Sequence, residues 1–232
     1  MIRLILVLSI VAGAYLFFTR GGCGTSGAIA CADPALDEGV GVALQAAEIC
    51  PQAGYLCAGR SGGFQLVRWP LDKGMLRVRV GLPDFVDKDT ARELRQAAIE
   101  GIREWHGHPF PIVIDSGRFT LRFSDIVVVW SQGQGGHATV RTDIKGKRLT
   151  FNIEGVRISV PPMEAMGPAL LAQVKAIAMH EMGHALGLMH SDQRGDIMFF
   201  EYKAGVTASR ASARDFRTVE ALYSYPAGAM VQ

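Results

Sequence analysis

The sequence predicts an α+β domain in which a strand-rich half precedes a helical half. Three observations carry that reading. Between Met75 and Val160 several stretches alternate apolar with polar residues or are rich in β-branched ones, the signal of strands. A single helical stripe interrupts them at Leu94, Ala98, Ile102 and Trp105. After Pro161, Pro162, Gly167 and Pro168 the pattern changes to two helices, one apolar nearly all round and one amphipathic.

Met75–Val80 places Leu76, Val78 and Val80 on one face and Arg77 and Arg79 on the other, as a half-buried strand does. Thr90-Ala-Arg-Glu93 reads as a capping box that starts the first helix. Gly107 and Pro109 end it. Phe110–Asp115 and Asp125–Trp130 are two further strands. Gly133–Gly136 is a turn and no phosphate loop, since no Gly-Lys-Ser/Thr follows. Arg148–Glu154 alternates through Leu149, Phe151 and Ile153; Gly155 breaks the pattern, and Val156–Val160 either continues the strand or forms a hairpin with it. Pro168 fits the first turn of a helix, and Leu170–Ala178 is apolar apart from Gln173 and Lys175, so this helix is buried. Ser212 and Asp215 cap the last helix, whose Phe216, Val219 and Tyr223 face inward.

The chemistry concentrates in His180-Glu-Met-Gly-His-Ala-Leu-Gly-Leu-Met-His190, which holds three of the six histidines. Residues four apart share a helix face, so His180 and His184 can offer both imidazoles to one metal ion. Glu181 sits one step round, where a base for a metal-bound water belongs. His190 cannot reach the same ion from a straight helix. Gly187 supplies the bend, because glycine tolerates the left-handed conformation that ends helices. Three nitrogen ligands with an open fourth position describe a catalytic zinc, not a structural one.

This extended signature resembles that of the metzincin metalloproteases. Ser191, Met198 eight residues after His190, and the tail from Ser212 to Tyr223 are similar to the matrixin branch. Trp69 and Ser124-Asp-Ile126 resemble an Arg-Trp and an Ala-Asp-Ile strand of matrixin catalytic domains. The resemblance implies a metzincin-like zincin domain: a mixed twisted β-sheet with an active-site helix and a C-terminal helix. It also implies that His137–Thr142 is the sheet edge along the cleft. Met198 would lie in a turn below the metal, as a packed floor and not a ligand. Phe199–Arg210 would wall the pocket for the substrate side chain just after the cut, with Phe199, Phe200 and Tyr202 as pocket residues. Phe200 departs from the family, which usually has proline there; Tyr202 conforms. Matrixins often carry structural zinc and calcium near residues 133–142, but the needed aspartates are missing, so calcium is not supported. His106, His108 and His137 are read as ordinary surface or loop residues.

The 232 residues and net charge of +2 suit one enzyme domain with a short extension and give no sign of a nucleic-acid partner. Residues 1–20 read as a targeting segment, with Arg3 before the uncharged run Leu4–Thr19. An uncleaved membrane anchor is preferred over a cleaved signal; either exports the remainder. Residues 21–65 hold all four cysteines, Cys23, Cys31, Cys50 and Cys57. An even number in an exported segment favours two disulfides, with three pairings open. Residues 66–226 are the catalytic domain and 227–232 a tail. The expectation is a zinc-dependent metalloendopeptidase acting on extracytoplasmic polypeptides, membrane-anchored or secreted, with one Zn2+, ligands His180, His184 and His190, and Glu181 as general base. The rival readings are a zinc hydrolase of a non-peptide amide and a tethered binding module with little activity.

Overall fold

Leu76, Val78 and Val80 are fully buried in strand β3 (Leu76–Val80), and the intervening arginines are half-buried. The computed structural model describes residues 34–115, 124–161, 167–201 and 208–232. The apolar segment 1–20, Cys23, Cys31 and Tyr202 lie outside them. Ahead of β3 come the short β1 (Ala43–Leu44), α1 (Ala46–Ile49) and β2 (Phe64–Gln65). After it follow α2 (Lys88–Arg103), β4 (Ile112–Asp115), β5 (Ile126–Gln132), β6 (Gly136–Lys145) and β7 (Arg148–Val160). Then come α3 (Pro168–Ala185), α4 (Ala213–Ser224) and β8 (Met230–Val231). The principal sheet has the order β4-β3-β5-β7-β6, parallel throughout except for the antiparallel edge strand β6. This is the mixed sheet, with an active-site helix and a C-terminal helix, that the resemblance implied.

β7 is one continuous strand, and a bulge explains why the sequence pattern breaks within it. Thr139 pairs with Gly155, but the next residue, Val140, pairs with Ile153. The extra residue shifts the side-chain parity. Leu149, Phe151 and Ile153 before it and Val156, Ile158 and Val160 after it are all buried. Without the shift, one of the two sets would face solvent. The edge strand β6 extends beyond the expected His137–Thr142 at both ends.

Helix α2 begins earlier than Thr90. Its cap is Asp87, whose side chain accepts the backbone N–H groups of Asp89 and Thr90 at 3.0 and 3.1 Å. Aspartate is among the strongest caps, and it displaces the Thr90 box to the helix interior. Leu94, Ala98 and Ile102 are buried as the stripe requires. Helices α2 and α3 cross closely at Gly101, where a β-carbon would lie 2.2 Å from the Lys175 carbonyl oxygen. Trp105, fully buried after α2, donates its indole N–H to the Met179 carbonyl at 2.8 Å. Pro168 occupies the first turn of α3, and α4 carries the Ser212–Asp215 capping box.

The segments flanking the expected catalytic domain join the same unit, Pro34–Gln232. β8 pairs in parallel with β1 and antiparallel with β2, bringing residues 43–44, 64–65 and 230–231 into one small sheet. Arg68, with no exposed surface, pairs with buried Asp37 at 3.2 Å and donates to the carbonyls of Leu36, Trp69 and Tyr225. Asp37 also accepts the Leu71 N–H at 2.9 Å. Cys50 and Cys57 form a disulfide. Among the described residues no helix is long and apolar enough to cross a membrane.

Candidate metal centre

Helix α3 delivers His180, Glu181 and His184 from its last turns, and its end is specified by several independent bonds. The Leu186 N–H reaches back to the Met182 carbonyl at 3.0 Å, and the Leu188 N–H to the Gly183 carbonyl at 3.0 Å. The orphan carbonyls of a helix end need partners. The Trp69 indole donates to the Ala185 carbonyl at 2.8 Å, and the Tyr223 hydroxyl to that of Leu186 at 2.9 Å. Gly187 then takes φ +100°, in the left-handed region, and a β-carbon there would lie 2.3 Å from the Val67 carbonyl oxygen. Conformation and space both require glycine at the bend.

The bend brings His190 back. The ring centroids of His180, His184 and His190 lie 4.7, 4.9 and 5.3 Å apart pairwise, and Nε2 of His184 is 3.2 Å from Nε2 of His190. One candidate ligand atom from each residue falls within 4.8 Å of the others. His180 Nδ1 donates to the Ile197 carbonyl and His184 Nδ1 to the Leu188 carbonyl, each at 2.8 Å. Those bonds hold the rings in the tautomer whose Nε2 carries a free lone pair. Burial lowers the pKa of all three imidazoles; for His184, burial first and then neighbouring His180 push it down to about 4. Neutral imidazoles with oriented ring nitrogens are the donor set zinc takes, so the residues fit the metal that the sequence implied.

Glu181 is buried beside this triad, and burial pushes its carboxyl up to about 7. Its Oε2 has no hydrogen-bond partner. The carboxylate lies directly against the start of β6: a β-carbon at Gly136 would sit 2.5 Å from both Cγ and Oε1 of Glu181. Read from sequence, Gly136 belonged to a turn. In the structure it opens the edge strand and makes room for the glutamate, and nothing local marks it for that task. His137, exposed on the same edge strand, lines the cleft that holds the triad.

Met198 is fully buried under α3. A β-carbon at Gly183 would lie 2.2 Å from its sulfur and 3.2 Å from Trp105, so glycine at this variable position of the motif lets the methionine pack against the helix. The loop closes through the Ser191 N–H, which donates to the Met198 carbonyl at 2.8 Å. The cleft encloses about 710 Å³, with Phe151, Ile177 and Leu188 among its apolar walls and Phe199 and Phe200 beside the triad. Phe199 is half-buried, whereas Phe200 is 65% exposed. Tyr202 lies outside the described residues.

Residues 124–224 match the family model described as Matrixin. The match takes in β5 to α4; β3, α2 and the disulfide loop precede it. No curated protein matches the chain.

Proposed function

Because residues 124–224 match the Matrixin model, we propose that this chain is a zinc-dependent endopeptidase in which Glu181 moves the protons. The observation that supports this reading best is Glu181 itself: a buried carboxyl with one oxygen lacking any partner, set next to three converging imidazoles. His180, His184 and His190 would hold the ion. Zinc, when bound there, supplies Lewis acidity that acidifies water and polarises a carbonyl. The Glu181 carboxylate accepts the proton of the attacking water and returns it to the leaving amine, acting as base and then acid. Beside a bound cation the carboxyl ionises more readily than burial alone permits.

Substrate placement follows from the sheet. β6 is an edge strand, and its first residues reach the glutamate. An extended polypeptide can add to that edge as a further strand, with main-chain bonds for affinity and side-chain pockets for selectivity. The apolar walls of the cleft favour an apolar residue next to the cut. Export is supported by the Cys50–Cys57 disulfide, since such bridges persist in oxidising compartments. Residues 1–20 would serve as the membrane tether or signal.

The test is cleavage of an unstructured polypeptide by the full chain at matched zinc content. Glu181→Ala should keep zinc and fold while losing activity by about 10²–10⁴-fold. Equal rates in variant and wild type would remove Glu181 as the base. A wild type without chelator-sensitive cleavage would favour the binding-module reading.

A further inference from the structure

Ile197 holds His180 through its carbonyl, and Ile197 is fixed in turn by a residue of α4. The Ile197 N–H donates to Oδ2 of Asp215 at 2.9 Å. Asp215 is fully buried in the first turn of α4, where the helix dipole favours a negative charge. The Ser212 N–H donates to the same oxygen at 2.7 Å. The other oxygen, Oδ1, accepts the hydroxyl of Tyr55 at 2.8 Å, from a residue 160 positions away in sequence. Tyr55 lies ahead of the stretch that carries the matrixin match.

Tyr55 is firmly placed. It is 2% exposed, and its backbone N–H donates to Thr218 Oγ1 at 3.1 Å. The Arg214 guanidinium stands 5.3 Å from its ring centre and also donates to the Gly54 carbonyl. Gly54 has φ +62°, and a β-carbon there would lie 2.1 Å from Thr218 Oγ1, so only glycine lets the loop approach this closely. The Cys50–Cys57 disulfide closes the loop around the tyrosine. Burial and the neighbouring Asp215 raise the phenol pKa far above its ordinary value, which keeps the hydroxyl a donor.

We propose that Tyr55 is a positioning residue for the metal centre, acting on His180 through Asp215 and Ile197, and that the disulfide-closed loop holds it in place. The proposal rests on the reading of His180, His184 and His190 as a zinc site. The chain of contacts is continuous: Tyr55 Oη to Asp215 Oδ1, Asp215 Oδ2 to Ile197 N, Ile197 O to His180 Nδ1. Without the hydroxyl, Oδ1 is a buried acceptor that has lost this donor, and the carboxylate turns to find another. The Ile197 backbone follows it, and the His180 ring loses the fixed direction of its Nε2 lone pair.

The experiment measures Zn2+ affinity by chelator competition, and the visible absorption of the Co2+-loaded protein, on the full chain. It compares wild type, Tyr55→Phe, Asp215→Asn and the double variant. Val78→Ala, a core truncation in β3, serves as a control for lost stability alone. Tyr55→Phe should weaken metal binding about 10–100-fold, the usual effect of losing an outer partner of a ligand, and change the Co2+ spectrum. The double variant should bind no more weakly than Asp215→Asn alone, because residues acting in series are not additive. Val78→Ala should keep wild-type affinity and spectrum. Wild-type affinity and spectrum in Tyr55→Phe, or full additivity in the double variant, would overturn the proposal. If Tyr55→Phe does not fold, the Cys50→Ala/Cys57→Ala variant keeps the tyrosine in an open loop. It should lose affinity in the same direction, and wild-type affinity there would overturn the proposal too. A wild type that takes up no Co2+ removes the metal reading and this proposal together.

Discussion

Replacing Asp37 by alanine should unfold this protein far more readily than replacing a residue of a detachable extension. Asp37 and Arg68 form an ion pair whose side chains are 4% and 0% exposed. Removing the carboxylate leaves a buried guanidinium with carbonyl partners only, at Leu36, Trp69 and Tyr225. It also leaves the Leu71 N–H, which Asp37 accepts at 2.9 Å, without that partner. Breaking one side of a buried pair costs about 3–5 kcal/mol. An orphaned buried N–H alone accounts for about 1–3 kcal/mol of such a loss. In a domain of this size each kcal/mol lowers the melting midpoint by roughly 2–4 °C, so the drop should be about 6–20 °C. Asp37→Asn keeps an acceptor for one of the two donors and should fall between wild type and alanine. Thermal and urea unfolding of the full chain at fixed zinc measure both. An Asp37→Ala variant within about 0.5 kcal/mol of wild type, the range of ordinary surface changes, would refute the reasoning. Residues 34–65 would then be an accessory to the domain and not part of its fold.

Two further outcomes follow from the site. Gly136→Ala puts a methyl 2.5 Å from the Glu181 carboxylate, so the glutamate must move; kcat should fall on the order of 10²-fold while zinc content stays at the wild-type level, as metal analysis beside steady-state kinetics would show. Removing the metal with a chelator should abolish cleavage and lower the melting temperature, since a ligand present at about 1,000 times its Kd stabilises the folded state by about 4.1 kcal/mol; calorimetry showing identical midpoints with and without zinc would count against a three-histidine site.

The metal site was legible because its spacing is a local property of the chain. His180 and His184 share a helix face by the period of the α-helix alone. Gly187 announces the bend by its own backbone freedom, and the Ser212–Asp215 box by hydrogen bonds three residues apart. The departures have an equally local cause where two signals compete: Asp87 and Thr90 both make good caps, and the bulge at Gly155 looks like a strand end until its partner β6 is in view. What no window of sequence could show depends on surfaces meeting after α3 is packed. Gly136 reads as a turn residue until β6 lies against Glu181. Arg68 and Asp37, 31 residues apart in sequence, are buried together, and Tyr55 reaches Asp215 across 160 residues. Helical periodicity, glycine bends and capping boxes are set within a few residues of backbone, so the sequence by itself determined the helix, the bend after it and the convergence of His180, His184 and His190 beside Glu181. Burial and pairing between distant segments depend on the packed core, so the tertiary structure alone decided what supports those groups and which residues surround the cleft.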